Sequence, residues 1–111
     1  MAVTCTGEGR VLRAAISGEV DHHRARAIME ELSRQIDLEL PRSLTLDLEG
    51  VTFMDSSGIG VLLNRYKQMK AGHTSFYGAC PQVMRVLKVA GILGLMHQYE
   101  SKEEAIYSRE V

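Results

Sequence analysis

The spacing of the apolar residues changes from two to about 3.6 near the middle of the chain, and this change limits the possible folds more than any other feature. In the segment SLTLDLEG, residues 43–50, a leucine stands at every second position, which is typical of a strand with one buried face. After Gly58 the apolar residues recur every three or four positions, which predicts a helix. A strand followed directly by a helix is a building unit of α/β folds. The two apolar stripes are Leu44, Leu46 and Leu48 on the strand, and Ile59, Leu62, Leu63, Tyr66 and Met69 on the helix.

Shorter patterns on both sides of this unit predict the remaining elements. VTCT and VLRAAIS are two strands joined by a glycine-containing turn, and a helix follows from Asp21, its predicted N-cap, to Pro41. HTSFYGAC is a further strand, Pro81 begins a third helix, LMHQY is a short edge strand, and residues 101–104 have capping-box spacing for a last helix. The predicted order is ββαβαβαβα. It describes an α/β fold with a mixed sheet of four to five strands and about four helices, in a single domain over residues 1–111.

Composition and charge argue against several classes of function. Of the 111 residues, 45% are hydrophobic and 24% are charged, and the formal net charge is -1, so the basic surface of a nucleic-acid-binding protein is not expected. No apolar run approaches the roughly 20 residues that span a bilayer, and the N-terminus lacks the pattern of a signal peptide. Cys5 and Cys80 form no CxxC pair, and the neighbouring His22 and His23 point apart on a helix, which disfavours one shared metal ion. We therefore expect a cytoplasmic protein with no metal site, no cofactor and no membrane or nucleic-acid partner.

Two adjacent serines, Ser56 and Ser57, stand at the predicted strand-to-helix junction within the sequence FMDSSGIGVLLNRY. A helix start presents backbone N–H groups without intrahelical partners and carries a partial positive charge, so it favours a capping oxygen or an anion. One serine is sufficient as an N-cap, and capping is the simplest explanation for a single serine at this place. The second hydroxyl remains to be explained.

Three functional interpretations compete with capping. A nucleophile elbow requires G-x-S-x-G, which is absent, because Met54 and Asp55 stand two positions before the serines. A nucleotide-binding loop is supported only by Gly58 and Gly60, since Leu63 occupies the third glycine position and no P-loop is present. A phosphorylation switch would add about -1.5 to -2 charges at a helix start that tolerates them. The residue pattern alone does not choose between this switch and a cap.

Two segments together resemble a known family. FMDSSGIGVLLNRYKQMKAG is similar to the central segment of the bacterial anti-sigma factor antagonists of the STAS family, and GEVDHHRA is similar to that family's entry into its first helix. The histidine pair resembles the sporulation branch of the family. The resemblance covers essentially the whole chain in element order, and it implies the STAS fold.

The resemblance also implies a mechanism. The second serine of the pair, Ser57, would be phosphorylated by the anti-sigma factor, which is itself an ATP-dependent serine kinase. The unmodified chain would bind that kinase and release the sigma factor, and a PP2C-type phosphatase would restore the binding form. The chain would then be a substrate and a binding module, not an enzyme. The expected partner-binding residues are Asp21, Asp55, Ser56, Ser57, Gly58, Gly60, Asn64 and Arg65, the last two because they lie on the predicted solvent face of the second helix.

Two other classes remain as alternatives. The chain could be a free-standing STAS module that binds a nucleotide or small molecule in a signalling assembly. It could also be a small hydrolase, which would lose turnover on Ser57→Ala.

Overall fold

The computed structural model describes residues 3–70 and 72–108, and it contains a five-stranded mixed sheet covered by helices. The strands lie side by side in chain order, with β1 antiparallel to β2 and every later neighbour parallel. This confirms the predicted STAS-type order ββαβαβαβα. The elements are β1 Val3–Glu8, β2 Val11–Val20, α1 Ala25–Glu39, β3 Ser43–Met54, α2 Ser56–Met69, β4 His73–Tyr77, α3 Pro81–Val89, a 3-10 turn Ile92–Gly94, β5 His97–Gln98 and α4 Lys102–Ser108.

The central strand β3 separates an apolar face from a polar face of the sheet. The predicted leucine stripe is fully buried, and Leu44 and Leu46 pair in register with Leu12 and Ala14 of β2, so these side chains share the face that α1 and α2 cover. On the opposite face Thr45 lies beside Ser75, and their hydroxyl oxygens are 3.2 Å apart. Two residues further along β3 and β4, on the same face, the hydroxyl of the buried Tyr77 donates a hydrogen bond of 2.9 Å to Asp47.

Both central strands extend further than their patterns predict. The segment VTFM, expected as a bridge, is part of β3, and the segment GEV is part of β2. Register shifts around Ser17 and Glu19 keep β2 paired with β3 up to Val20 opposite Met54. These irregularities interrupt the alternation of apolar residues without ending the strand, so the strand predicted from the alternation is too short.

Two details of the helices also differ from expectation. Helix α1 begins at Ala25, four residues after Asp21, because residues 21–24 form a separate turn in which the Asp21 carbonyl accepts a bond of 3.1 Å from the N–H of Arg24. Tyr66 is 37% exposed and is not part of the core, unlike the rest of the predicted stripe of α2. In the described part of the chain, no helix combines the length and apolar character that crossing a membrane requires.

Candidate functional site: the start of helix α2

The ends of two neighbouring parallel strands bring the predicted site residues to one edge of the sheet. Val20 pairs with Met54, so Asp21 and Asp55 each follow directly on a paired strand end. The N–H of Asp55 lies 3.4 Å from the carbonyl oxygen of Val20. The carboxyl ends of parallel strands are a common place for binding sites in α/β proteins. The prediction that Asp21 lies on the same surface as the serines is supported by this register.

The N-cap of α2 is Asp55, and neither serine has that role. The Oδ1 atom of Asp55 accepts hydrogen bonds from the backbone N–H of Ser57 at 2.8 Å and of Gly58 at 3.4 Å. Its extended backbone (φ -116°, ψ -167°) is the usual conformation of a cap residue. Ser56 and Ser57 are the first two residues of the helix itself. The simplest explanation from the sequence, that one of the two serines is the N-cap, is therefore wrong, and both hydroxyls are available for another role.

The surface around Ser57 is accessible and has few side chains on it. Ser57, Gly60 and Asn64 follow one another at i, i+3 and i+7, so they lie on one face of α2. Ser57 is half-buried, Ser56 and Asn64 are exposed, and a side chain placed on Gly60 would meet nothing within 4 Å. Asn64 donates a hydrogen bond of 2.7 Å to the carbonyl oxygen of Gly60. Another protein can thus approach the backbone next to Ser57 closely.

The two glycines after the serines have different roles. Gly58 is buried, and a Cβ at this position would overlap Met54 Cγ and lie 2.9 Å from the carbonyl oxygen of Val20. Gly58 is therefore required for packing α2 against the ends of β2 and β3, and it does not offer the exposed partner contact that was expected. Gly60 has no such neighbour, so the fold does not explain its lack of a side chain.

Asp21 organises the turn that lies beside the start of α2. Its Oδ1 atom accepts hydrogen bonds from the backbone N–H of His23 at 3.0 Å and of Arg24 at 3.2 Å. This carboxylate caps the turn that precedes α1, although it was expected to cap α1 itself. Both histidines are exposed, with ring centroids 3.9 Å apart.

Arg65 does not belong to the accessible surface. Only 5% of this residue is exposed, and its Nη1 atom donates a hydrogen bond of 2.6 Å to the carbonyl oxygen of Met29 in α1. Burial lowers the pKa of the guanidinium, and the negative charge of Asp37 acts in the opposite direction. The prediction that Arg65 contacts a partner is wrong because the side of α2 that carries Arg65 packs against α1. Its long side chain and its charge suggested exposure, but the carbonyl of Met29 satisfies one of its donors inside.

An apolar groove next to Ser56 was not expected from the sequence. It has a volume of about 380 Å³ and lies between α2 and α3, with Val89 91% exposed at its rim. Of the apolar residues that line it, Val86 is half-buried and Ala90 is exposed. The lining residues are Ser56, Ile59, Arg85, Val86, Val89 and Ala90. The apolar residues at the end of α3 were the only signal in the sequence.

Gln82 is a second contributor that the sequence did not indicate. Its Oε1 atom accepts a hydrogen bond from the N–H of Met54, and its Nε2 atom donates one to the carbonyl oxygen of Met54, both at 3.2 Å. These two bonds attach α3 to the last residue of β3, directly before Asp55. The groove and the start of α2 are thereby held in a fixed relation to each other.

Within the described residues the site contains no cluster of metal-ligating side chains. Groups of three or more His, Cys, Asp or Glu side chains that could hold a metal ion are absent from residues 3–70 and 72–108. What the site offers is a capped helix start with two hydroxyls and an adjoining accessible surface.

Comparison with known proteins supports this interpretation. Anti-sigma F factor antagonists from Paenibacillus polymyxa and Lysinibacillus sphaericus are each 34% identical to this chain over 103 residues, covering 91% of it and 88% and 86% of their own lengths. The solved structure of the anti-sigma factor antagonist SpoIIAA in its unphosphorylated form is 29% identical with a TM-score of 0.83, covering 99% of this chain and 98% of its own. The phosphorylated form of the Bacillus cell fate determinant SpoIIAA is 28% identical with a TM-score of 0.73, covering 96% of this chain and 97% of its own. The family model of the STAS domain matches residues 3–105, and this chain therefore belongs to the STAS domain family.

Proposed function

We propose that this protein is an anti-sigma factor antagonist that is switched off by phosphorylation of Ser57. In this proposal the unphosphorylated chain binds an anti-sigma factor that is also a serine kinase, and this binding releases the sigma factor. Phosphate transfer to Ser57 ends the complex, and a PP2C-type phosphatase restores the binding form. The observation that carries the proposal is the cap at Asp55, because it leaves both serine hydroxyls without a structural duty at an accessible helix start.

The docking surface in this proposal consists of the start of α2 and its neighbours. Ser57, Gly60 and Asn64 supply the face on which the kinase approaches the hydroxyl. The groove between α2 and α3 begins at Ser56 and continues this surface with apolar area that a partner side chain can bury. Asp21 borders the surface on the side of β2. Because this surface joins polar and apolar parts, it resembles a protein interface more than a small-molecule pocket.

The electrostatics explain how a phosphate could change partner binding without unfolding the chain. A phosphoserine adds about -1.5 to -2 charges, and the N-terminus of α2 favours negative charge. The fold therefore tolerates the modification. A partner that covers Ser57 must remove water from the phosphate, with the carboxylate of Asp55 close by, so the complex loses free energy unless the partner supplies a cation.

In this proposal the chain is a substrate and a binding module without catalytic activity. The kinase supplies the catalytic residues and ATP, so no cofactor resides in this protein. We place the exchange in the cytoplasm, where ATP is available, and we assign it to a single domain over residues 1–111.

The test is intact-mass measurement with peptide mapping after incubation with ATP and the organism's candidate anti-sigma kinase. One phosphate is expected on Ser57, with none added to Ser57→Ala and normal addition to the control Ser56→Ala. Complex formation with the kinase, measured by gel filtration, should be lost after phosphorylation. Phosphate on Ser56 would refute the site, and no phosphate from a kinase proven active on its own antagonist would refute the switch.

A second role is supported by one separate observation. A cavity at the opposite edge of the sheet has the size and the polar lining of a small-molecule site. This role does not exclude the first, because the two surfaces lie at opposite ends of β3.

A further inference from the structure

A cavity with a polar lining lies at the end of the strands away from Ser57. It has a volume of about 770 Å³ and is bordered by the first residues of β3 and β4, Ser43 and His73, and by the last turn of α2. Ligand pockets in proteins have volumes of roughly 300–1,000 Å³. At a rise of about 1.5 Å per residue along α2, the lining residues Tyr66 and Lys70 lie about 15 and 21 Å from Ser56 at the start of the helix. It therefore belongs to a different surface from the proposed partner site.

Hydroxyl groups on the strands provide hydrogen-bonding capacity inside the cavity. Thr45, Thr74 and Ser75 line it, and each is less than 9% exposed. The Thr45 and Ser75 hydroxyls share one hydrogen bond, so one of their two protons remains free to be donated. Thr74 pairs with Leu44, so its side chain lies on the other face of the sheet from Thr45 and Ser75, and the free proton of that pair is the hydroxyl donor in the argument that follows.

The lining of the cavity contains one positive charge, that of Lys70, and the described lining residues include no aspartate or glutamate. His73 and His97 also line it and supply ring nitrogens that can form hydrogen bonds. The C-terminus of α2 carries a partial negative charge, and Lys70 is the residue that directly follows the helix and offsets it. A free hydroxyl donor together with a lysine ammonium group can bind a carboxylate or a phosphate.

Apolar and aromatic side chains complete the lining. Tyr66 and Leu95 are partly exposed there, and the ring of Tyr99 meets His97 edge-on with centroids 4.6 Å apart. Tyr66 is the one member of the predicted apolar stripe of α2 that the core does not cover. A ligand with an uncharged ring or chain beside its acidic group can pack against these side chains.

We propose that this cavity binds a small organic anion, a carboxylate or a phosphate ester, with its acidic group at Lys70, His73 and His97 and its uncharged part on Tyr66, Leu95 and Tyr99. The proposal does not rest on phosphorylation of Ser57. It assigns to the chain a ligand site that is spatially separate from its partner surface.

The experiment is a titration of the full chain followed by ¹H–¹⁵N chemical shifts, with phenyl phosphate and benzoate as the probes. Phenol and benzamide are the matched neutral probes, and inorganic phosphate tests the acidic group alone. We expect saturable shifts at the amides around the cavity, and an affinity at least about fivefold weaker for the neutral probes, because a charge-assisted hydrogen bond is lost. Binding of phenyl phosphate alone would identify a phosphate ester, and binding of benzoate alone would identify a carboxylate.

Three variants separate a specific site from general attraction of anions. Lys70→Gln and His97→Gln should each weaken the bound probe by about three- to tenfold, since both side chains are exposed and the fold does not depend on them. Lys67→Gln removes an exposed cation from the same helix outside the cavity and should leave the affinity unchanged. Equal weakening by Lys67→Gln, equal binding of neutral probes, or no shift with any probe would each overturn the proposal.

Discussion

The replacement of Asp55 by alanine is the sharpest test of how the start of α2 is built. The Asp55 carboxylate accepts hydrogen bonds from the backbone N–H groups of Ser57 and Gly58, and the N–H of Gly58 also bonds the Asp55 carbonyl oxygen at 3.0 Å. Loss of an N-cap of this kind reduces the free energy of unfolding by about 1 kcal/mol, and loss of the negative charge at the helix N-terminus adds about 0.3–1 kcal/mol. We therefore expect Asp55→Ala to lose about 1–2 kcal/mol, with a melting temperature about 5 °C lower for a domain of this size.

Matched variants identify which side chain supplies the cap. Asp55→Asn keeps a capping oxygen and loses only the charge, so it should lose less than about 1 kcal/mol. Ser56→Ala and Ser57→Ala remove hydroxyls with no capping bond, so each should stay within about 0.5 kcal/mol of the parent. The measurement is urea unfolding followed by circular dichroism. If either serine variant loses as much as Asp55→Ala, the reasoning that both hydroxyls are free of structural duty is refuted.

Three further predictions concern packing and pH. Gly60→Ala should raise the free energy of unfolding by about 0.5–1 kcal/mol because the space beside Gly60 is empty. Gly58→Ala should lower it by about 1–3 kcal/mol because the added Cβ would meet backbone atoms. Urea unfolding in which both substitutions change the stability in the same direction would contradict this. Tyr77→Phe should lose about 1–2 kcal/mol near neutral pH, since Asp47 loses a hydrogen bond. Burial is the larger cause and the hydrogen bond to Asp47 the smaller cause of a raised pKa of Tyr77 in the folded chain. The unfolded chain therefore loses this proton at lower pH, and the parent protein should lose stability above about pH 10. Parallel pH profiles of the parent and Tyr77→Phe in that range would be the contrary result. Arg65→Glu should lose about 3–5 kcal/mol in thermal or urea unfolding, because it buries a carboxylate opposite a carbonyl oxygen, and an unchanged stability would show that the side chain is not buried.

The order and type of the elements could be predicted because local periodicity reflects which face of each element is buried. The leucines of SLTLDLEG are buried at every second position, as the alternation indicates, and Ile59, Leu62 and Met69 are buried along α2. Element ends were less predictable. The irregular pairing near Ser17 and Glu19 is a property of two strands together, and neither strand shows it alone.

The capping residue of α2 could not be identified from the sequence because Asp55, Ser56 and Ser57 are all good cap residues. The choice depends on where β3 ends, and that end is fixed by pairing with β2 and by the two hydrogen bonds from Gln82 to Met54. The serine hydroxyls, either of which was sufficient as a cap, are therefore not the cap, and only the strand pairing decides this.

The sequence by itself determined the alternation of strands and helices, the resemblance to anti-sigma factor antagonists and the place of Ser57 at a helix start, since all three depend on residues close together in the chain. Only the tertiary structure decided that Arg65 is inside, that Gly58 serves packing while Gly60 stays unobstructed, and that a groove and a cavity flank opposite ends of α2. These properties depend on which elements pack against each residue. Packing brings together residues that are far apart in the chain, such as Arg65 and Met29, and local sequence patterns do not show which distant residues will meet.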